Sequence, residues 1–294
     1  MIFIDCCTTH LPDIGKHVLA IQKHPMLRDK LRSDRRFAGE NFVLAQPLDR
    51  DDLLLVHTTR YVNDLLTLRL TESTERSELP LTQELVDAIL LASGGTLQAA
   101  REALKTGRAM NLSGGFHHAF AEHAEGFCYV NDVAVAVRRL QEEKLVKQIL
   151  IIDLDVHQGN GTAHIFKRDR SVFTFSMHER ENYPVKQKGR LDVGLETGCG
   201  DEEYLALLQK ALHGIRSSFK PDLIFYLAGV DVHRDDMLGG LSLTREGIRL
   251  RDEMVRDFLP EVPLAVVMAG GYARKIEGVV DLHFQTCEVM ASII

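Results

Sequence analysis

The chain has 294 residues, of which 45% are hydrophobic and 26% are charged, a composition typical of a globular protein with a buried core. Its formal net charge of -7 argues against nucleic acid as the main ligand, because phosphate binding requires a basic surface. The N-terminus lacks the pattern of a secretory signal, and no apolar run is long enough to span a membrane. With five cysteines in no framework spacing, these features predict a cytoplasmic protein with reduced thiols.

Along the chain, short apolar runs typical of buried strands alternate with longer segments that have helical spacing. The polar stretch 71–79 predicts a surface loop. After it we predict a helix over 83–105, a strand over 109–112, a helix over 131–143, strands over 148–153 and 171–176, a helix over 202–217, a strand over 222–229, a helix over 244–258 and a strand over 263–270. This order predicts an α/β fold with a mostly parallel central sheet, helices on both faces, and a single domain over 1–294.

Three candidate metal ligands follow two of these predicted strands. Asp155 and His157 stand two residues apart after the strand at 148–153, and this spacing points both side chains to the same side of an extended chain. Asp231 follows the strand at 222–229, and the carboxyl ends of parallel strands lie at one edge of a sheet. Each residue alone is more typical of a turn or a helix cap. Together they match a catalytic zinc site with three protein ligands and an open position, with iron as the alternative metal.

Two adjacent histidines, His117 and His118, follow the predicted strand at 109–112. Such a pair taken alone is more often exposed or structural, but amide hydrolysis needs a base and an acid, and two imidazoles suit these tasks. We expect Asp153 to accept a hydrogen bond from His117 and Asn160 to accept one from His118. Because only Asp is charged, the pKa values of the two imidazoles should differ.

A tyrosine, Tyr272, follows two glycines at the end of the predicted strand at 263–270. On its own this pattern is typical of a turn with a half-buried tyrosine. Next to a metal site, the glycines would let the side chain approach the metal, where its hydroxyl would donate to a developing oxyanion.

These segments, in this order, resemble the motifs of the histone deacetylase family. The resemblance runs from about residue 50 to the C-terminus and rests on GFHH at 115–118, GFCYVND at 126–132, DLDVHQGNG at 153–161, GVD at 229–231 and GGY at 270–272. It implies the arginase/deacetylase-like three-layer fold and zinc at the three ligands named above. It also implies His118 as the general base, His117 as a mainly electrostatic group, and Tyr272 as the residue that polarises the scissile carbonyl.

The same resemblance implies a substrate channel and a second cation. Phe127 and Tyr183 would form the channel walls, and Gly126 would offer a backbone carbonyl at its base. A structural potassium ion would bind backbone oxygens and side chains that include Asp153, Ser176 and Met177. Glu72, Glu75 and Glu78 are the candidates for an acidic residue that holds the substrate backbone.

The implied activity is zinc-dependent hydrolysis of the amide bond of Nε-acyl-lysine in a protein or peptide. The compact length, Asn160 and the segment 236–242 most resemble the class IV branch, which implies acceptance of acyl groups longer than acetyl. Two alternatives stay open: the same chemistry on a small acylated amine such as an acylpolyamine, and a binding module without catalysis. Loss of a ligand, a histidine or the tyrosine would favour the binding module, and all are present.

Overall fold

Strands and helices alternate along the chain in a computed structural model that describes residues 1–7, 10–37 and 41–292. The strands are β1 (Ile2–Asp5), β2 (Asn41–Leu44), β3 (Arg108–Asn111), β4 (Ile149–Asp153), β5 (Val172–Glu179), β6 (Leu191–Leu195), β7 (Leu223–Leu227) and β8 (Leu264–Val267). The helices are α1 (Lys23–Ser33), α2 (Arg50–Leu54), α3 (Thr59–Leu66), α4 (Glu72–Glu75), α5 (Gln83–Thr106), α6 (Asp132–Glu142), α7 (Asn160–Phe166), α8 (Asp201–Ser218), α9 (Arg245–Arg256) and α10 (Ile276–Ala291). A short 3-10 turn at Arg35–Phe37 follows α1.

The strands form one sheet in the order β2-β1-β3-β8-β7-β4-β5-β6. Each neighbouring pair in the described residues is parallel, so the carboxyl ends of all these strands lie at the same edge. The predicted parallel sheet is confirmed. The loops after β3, β4, β7 and β8, which carry the candidate site residues, therefore converge on that edge.

Helices cover both faces of the sheet, which gives the predicted three layers. Along β4, Leu150 and Ile152 belong to a core built with α1, α8, α9 and α10. Ile149 and Ile151 belong to a second core built with α2, α3, α5 and α6. This separation follows from the strand's period of two, which sends successive apolar side chains to opposite faces.

The predicted helices and strands are all present, with ends shifted by at most three residues. The starts of α6 and α9 are fixed locally, because the side chains of Asn131 and Thr244 accept hydrogen bonds from backbone N–H groups in the first turn. The prediction missed β1, β2 and β6, which have only four or five residues, as well as α1, α2, α3, α7 and α10. β1 lies within the sheet between β2 and β3, so the first fifty residues are part of the fold.

The prediction of a surface loop over 71–79 is only partly right. Its charged side chains are exposed, namely Glu72, Glu75, Arg76 and Glu78. This stretch contains α4, and the side chains of Thr74 and Ser77 within it are fully buried. The backbone carbonyls of Ser73 and Ser77 accept hydrogen bonds from the N–H groups of Ala124 and Phe127, at 2.8 and 2.9 Å. Its small polar side chains therefore fill the space beneath another loop, a role that composition alone does not distinguish from solvent exposure.

Among the helices of the described ranges, none combines the length and the apolar character needed to cross a lipid bilayer.

Candidate active site

The three predicted metal ligands lie together at the carboxyl edge of the sheet. Asp155 and His157 follow β4, and Asp231 follows β7, which is the strand hydrogen-bonded to β4. All three are buried, and one potential ligand atom from each lies within 4.8 Å of the others. The structure thus brings two carboxylates and one imidazole together around a common point.

Backbone N–H groups orient both carboxylates. Gly270 donates to Asp155 Oδ2 at 2.8 Å, and Val156 donates to Asp231 Oδ1 at 2.9 Å. The other oxygen of Asp231 is buried and has no hydrogen-bond partner among the described residues. Burial, followed by the charge of Asp155, raises the pKa of Asp231 to about 7. Two buried carboxylates, one with an unpaired oxygen, beside an imidazole fit a divalent cation such as zinc or iron(II).

Two glycines in the motifs leave room for these ligands. A Cβ atom on Gly229 would lie 2.6 Å from Asp155 Oδ2, and one on Gly270 would lie 2.5 Å from the same oxygen. Such contacts are shorter than a carbon and an oxygen tolerate, so any side chain at either position would displace Asp155, a predicted metal ligand. This is the physical reason for glycine in both GVD and GGY.

The histidine pair reaches the site on the loop after β3. The buried carboxylate of Asp132 holds this loop, because it accepts hydrogen bonds from the N–H groups of Gly115 and Phe116 at 2.9 and 2.7 Å. The Nε2 atoms of His117 and His118 lie 3.1 Å apart. Both rings are buried beside the ligand cluster, with the rings of His118 and His157 6.0 Å apart.

Each imidazole has the hydrogen-bond partner that the sequence predicted. His117 Nδ1 lies 2.7 Å from Asp153 Oδ2, and His118 Nδ1 lies 2.8 Å from Asn160 Oδ1. Burial by itself lowers the pKa of His117, but the charges of Asp153 and Asp155 and the hydrogen bond to Asp153 together outweigh it and raise this pKa to about 9. Burial and the charge of His117 lower the pKa of His118 well below its ordinary value. The two pKa values are therefore separated in the predicted direction: His117 is cationic and His118 is neutral at neutral pH.

Tyr272 lies beside the ligand cluster, with its ring 6.4 Å from that of His157. Its backbone N–H donates to Asp236 Oδ2 at 2.7 Å, which fixes the turn after β8. Burial and the charges of Asp155 and Asp231 raise the pKa of Tyr272 well above its ordinary value. The hydroxyl therefore keeps its proton and can act as a hydrogen-bond donor.

The predicted channel residues lie near His118 and Tyr272. The ring of Tyr183 is 5.2 Å from that of His118, and its side chain is 42% exposed. The ring of Phe127 lies 6.1 Å from that of Tyr272. Phe127 has a φ of +66°, which is strained for a residue with a Cβ, and Gly126 beside it has a φ of +49°. The turn that carries both residues is thus held in a conformation that aims an aromatic ring at the site.

The predicted potassium ligands are also neighbours. Asp153 at the end of β4 pairs in register with Ser176 on β5, and Met177 follows Ser176 in the same strand. All three residues are buried. Potassium binding at this point stays a prediction.

Sequence reasoning missed two residues next to the site. Glu125 accepts a hydrogen bond from Asn160 Nδ2 at 2.6 Å. Lys23, which is 3% exposed, donates to the carbonyl of Ala269 at 3.2 Å and lies 5.4 Å from the centre of the Tyr272 ring. Neither belongs to a recognised motif: Glu125 directly precedes one, and Lys23 lies in the first fifty residues.

Comparison with known proteins identifies the family. A family model described as the histone deacetylase domain matches residues 17–287. An uncharacterized protein of Picosynechococcus sp. is 42% identical over 94% of this chain and 92% of its own length. Histone deacetylase 2 of Arabidopsis thaliana is 34% identical over 80% of this chain and 65% of its own length. A probable deacetylase of Methanothermobacter thermautotrophicus is 31% identical over 80% of this chain and 75% of its own length.

Solved structures agree with this match. The fold is similar to that of a histone deacetylase homologue solved in complex with SAHA, with a TM-score of 0.84 and 26% identity over 100% of this chain and 84% of that chain. A homologue from Aquifex aeolicus gives a TM-score of 0.83 with the same identity and coverage. The expectation that the resemblance begins near residue 50 is wrong, because the match begins at residue 17, just before α1. Because the family model matches residues 17–287, almost the whole chain, the protein belongs to the histone deacetylase family.

Proposed function

We propose that this protein is a zinc-dependent hydrolase of the amide bond of Nε-acyl-lysine. The observation that carries this proposal is the buried cluster of Asp155, His157 and Asp231 next to two histidines whose different partners, a carboxylate and an amide, separate their pKa values. When bound by these ligands, zinc would supply Lewis-acid activation of the scissile carbonyl and of water. A binding module without catalysis would not require this separation of the two pKa values.

Three side chains have separate roles in the proposed reaction. His118, which is neutral, accepts the proton of the attacking water at Nε2 and then protonates the leaving lysine amine. His117, which Asp153 keeps charged, stabilises the negative charge of the transition state. Tyr272 donates its hydroxyl hydrogen bond to the oxyanion that develops on the carbonyl. The products are a carboxylate and a free lysine side chain.

Within this proposal, Phe127 and Tyr183 line a passage for the aliphatic part of a lysine side chain, because aromatic walls favour methylene groups over water. Glu78 lines an exposed cleft together with Tyr183, whereas Glu72 lines a different depression on the far side of Arg76. We therefore assign Glu78 as the acidic group that meets the substrate backbone outside the passage. Within this proposal, Asp153, Ser176 and Met177 hold a potassium ion beneath the site, and the five free thiols suit the reducing cytoplasm.

This proposal assigns an apolar cavity to acyl groups longer than acetyl. An apolar cavity adjoins Phe127 and is lined by side chains that include Ile21, Leu85, Ile89 and Phe116. Ala88 and Ala92 of α5 form part of its wall, where their small side chains leave the space open. An alkyl chain in this cavity would be removed from water, and each buried methylene contributes about 0.8 kcal/mol.

The proposal predicts turnover of acyl-lysine peptides by metal-loaded protein. One lysine peptide carrying acetyl to myristoyl groups, and acylated polyamines of the same chain lengths, would be compared by measuring product amine. Removal of the metal by a chelator is expected to abolish turnover, and added zinc is expected to restore it, with metal content measured on each sample. If only the acylated polyamines were hydrolysed, the substrate would be a small acylated amine. Turnover that is unaffected by complete metal removal would overturn the mechanism.

The cavity makes a second prediction, for the substitution Ala88→Leu. Leucine is a good helix former, so α5 should persist while the larger side chain fills the cavity. We expect kcat/KM for long-chain acyl-lysine to fall at least ~10-fold, while kcat/KM for acetyl-lysine stays unchanged and serves as the internal control. An equal loss for both substrates, or no loss for either, would contradict the assignment of the cavity to the acyl chain.

A further inference from the structure

The side chain of Glu125 is a charged group beside Asn160 for which the proposed mechanism has no role. It lies on a tight turn in which Glu125 and Cys128 exchange backbone hydrogen bonds of 3.0 and 2.9 Å. Its carboxylate is partly buried, with 15% of the side chain exposed, and faces an open cleft. Through Asn160, this carboxylate is two hydrogen bonds away from His118.

Asn160 is 1% exposed, so both ends of its amide need partners within the protein. The oxygen and the nitrogen of an amide occupy almost the same space, and only the hydrogen-bond partners decide which one faces which neighbour. A carboxylate has no proton to donate and can only accept. Glu125 Oε1, at 2.6 Å, therefore requires the Nδ2 end of Asn160 on its side and turns the Oδ1 end toward His118.

The charge of Glu125 is maintained by its surroundings. Its second oxygen lies 3.3 Å from His123 Nε2 and 3.6 Å from the Arg76 guanidinium. Burial alone would raise the pKa of Glu125, but hydrogen bonds from His123 and Asn160 and the charge of Arg76 outweigh it and lower this pKa. Glu125 is thus an acceptor throughout the neutral range.

The orientation of Asn160 in turn selects the tautomer of His118. Because Asn160 Oδ1 is an acceptor, His118 must carry its proton on Nδ1 to make the 2.8 Å hydrogen bond. The lone pair is then on Nε2, which points into the site and lies 3.1 Å from His117 Nε2. If the amide were reversed, its NH₂ group would face Nδ1, the proton would move to Nε2, and His118 could not accept a proton there.

We propose that Glu125 is a positioning residue that fixes the amide orientation of Asn160 and thereby holds His118 in the Nδ1–H tautomer with Nε2 free to act as a base. The inference rests on the proposed function, and it adds a third member to the His118–Asn160 pair. The charged group of this triad is near the surface, while the group that touches His118 is neutral.

The substitution Glu125→Leu tests this assignment directly. In ¹⁵N-histidine-labelled, zinc-loaded protein, we expect the NMR signals of His118 to report Nδ1–H in the unmodified chain and loss of that single tautomer in the variant. We expect kcat for an acyl-lysine peptide to fall ~10- to 100-fold, with KM and zinc content unchanged. Glu125→Gln keeps the shape of the side chain but can also donate, so it should restore the rate only in part. An unchanged tautomer in Glu125→Leu would overturn the proposal.

A second background separates positioning from a general structural effect. In Asn160→Asp there is no amide to orient, so Glu125→Leu should no longer lower kcat, and it should raise kcat by removing repulsion between two carboxylates. An equal fall in both backgrounds would mean that Glu125 only supports the fold. Glu122→Leu removes the same charge from the same cleft and is the matched control with unchanged kcat. The tautomer readout needs no substrate, so it decides this inference even if the chain hydrolyses no acyl-lysine.

Discussion

Replacing Tyr272 by phenylalanine is expected to lower kcat for acyl-lysine hydrolysis by about 100- to 1000-fold, the cost of removing one donor to a developing oxyanion. The change deletes a single oxygen. The ring keeps its place beside Phe127, and the backbone hydrogen bond from Tyr272 to Asp236 is unaffected. Because the raised pKa of the Tyr272 hydroxyl keeps its proton in place, the donor is present in every molecule at neutral pH.

The measurement is steady-state turnover with zinc content and thermal stability determined on the same samples. KM is expected to change little, since the hydrogen bond to the oxyanion forms mainly in the transition state. Tyr204→Phe deletes the same atom from a fully buried tyrosine on α8 and is the control with unchanged kcat. If Tyr272→Phe kept the rate of the unmodified protein, the oxyanion role would be wrong.

The substitution Asp231→Asn is expected to have the largest effect, with loss of both bound metal and turnover. The amide keeps the shape of the carboxylate and can still accept the hydrogen bond from Val156, so the loop after β7 should keep its conformation. The charge that complements the cation is lost. We expect zinc affinity to fall by more than the ~10- to 100-fold typical of removing an outer hydrogen-bond partner of a ligand.

The same variant should be more stable than the unmodified protein when both are metal-free. Burial raises the pKa of Asp231 in the folded state above its ordinary value of 3.8, so the folded state binds the proton more tightly than the unfolded state. That contribution to stability is complete below about pH 4 and is lost as pH rises through about 7. Thermal melting of metal-free samples at pH 8 should therefore give a higher Tm for Asp231→Asn.

Asp235→Asn makes the same chemical change four residues later, at a side chain that is 76% exposed, and should alter neither zinc content nor Tm. An Asp231→Asn protein that kept its zinc and its turnover would remove Asp231 from the ligand set. A lower Tm without metal would instead show that the carboxylate stabilises the fold by itself.

Much of the fold could be read from local patterns. Runs such as 149–152 are apolar without interruption, which is typical of strands covered on both faces, and both faces of β4 are indeed buried by helices. Short elements at the start of the chain were missed because four residues of β1 carry too little periodicity to be distinguished from a loop. Their burial depends on α1, α5 and strands far along the chain.

The candidate site likewise contains residues that the sequence predicted and residues that only the structure revealed. The sequence by itself predicted a site built from Asp155, His157, Asp231, His117, His118 and Tyr272, because each follows a strand end and parallel strands bring their carboxyl ends to one edge. Only the tertiary structure decided that Glu125 touches Asn160 and that Lys23 reaches Ala269, 246 residues away. These contacts depend on how loops from different crossovers pack against one another, and that arrangement is a property of the folded core, which no local pattern of residues encodes.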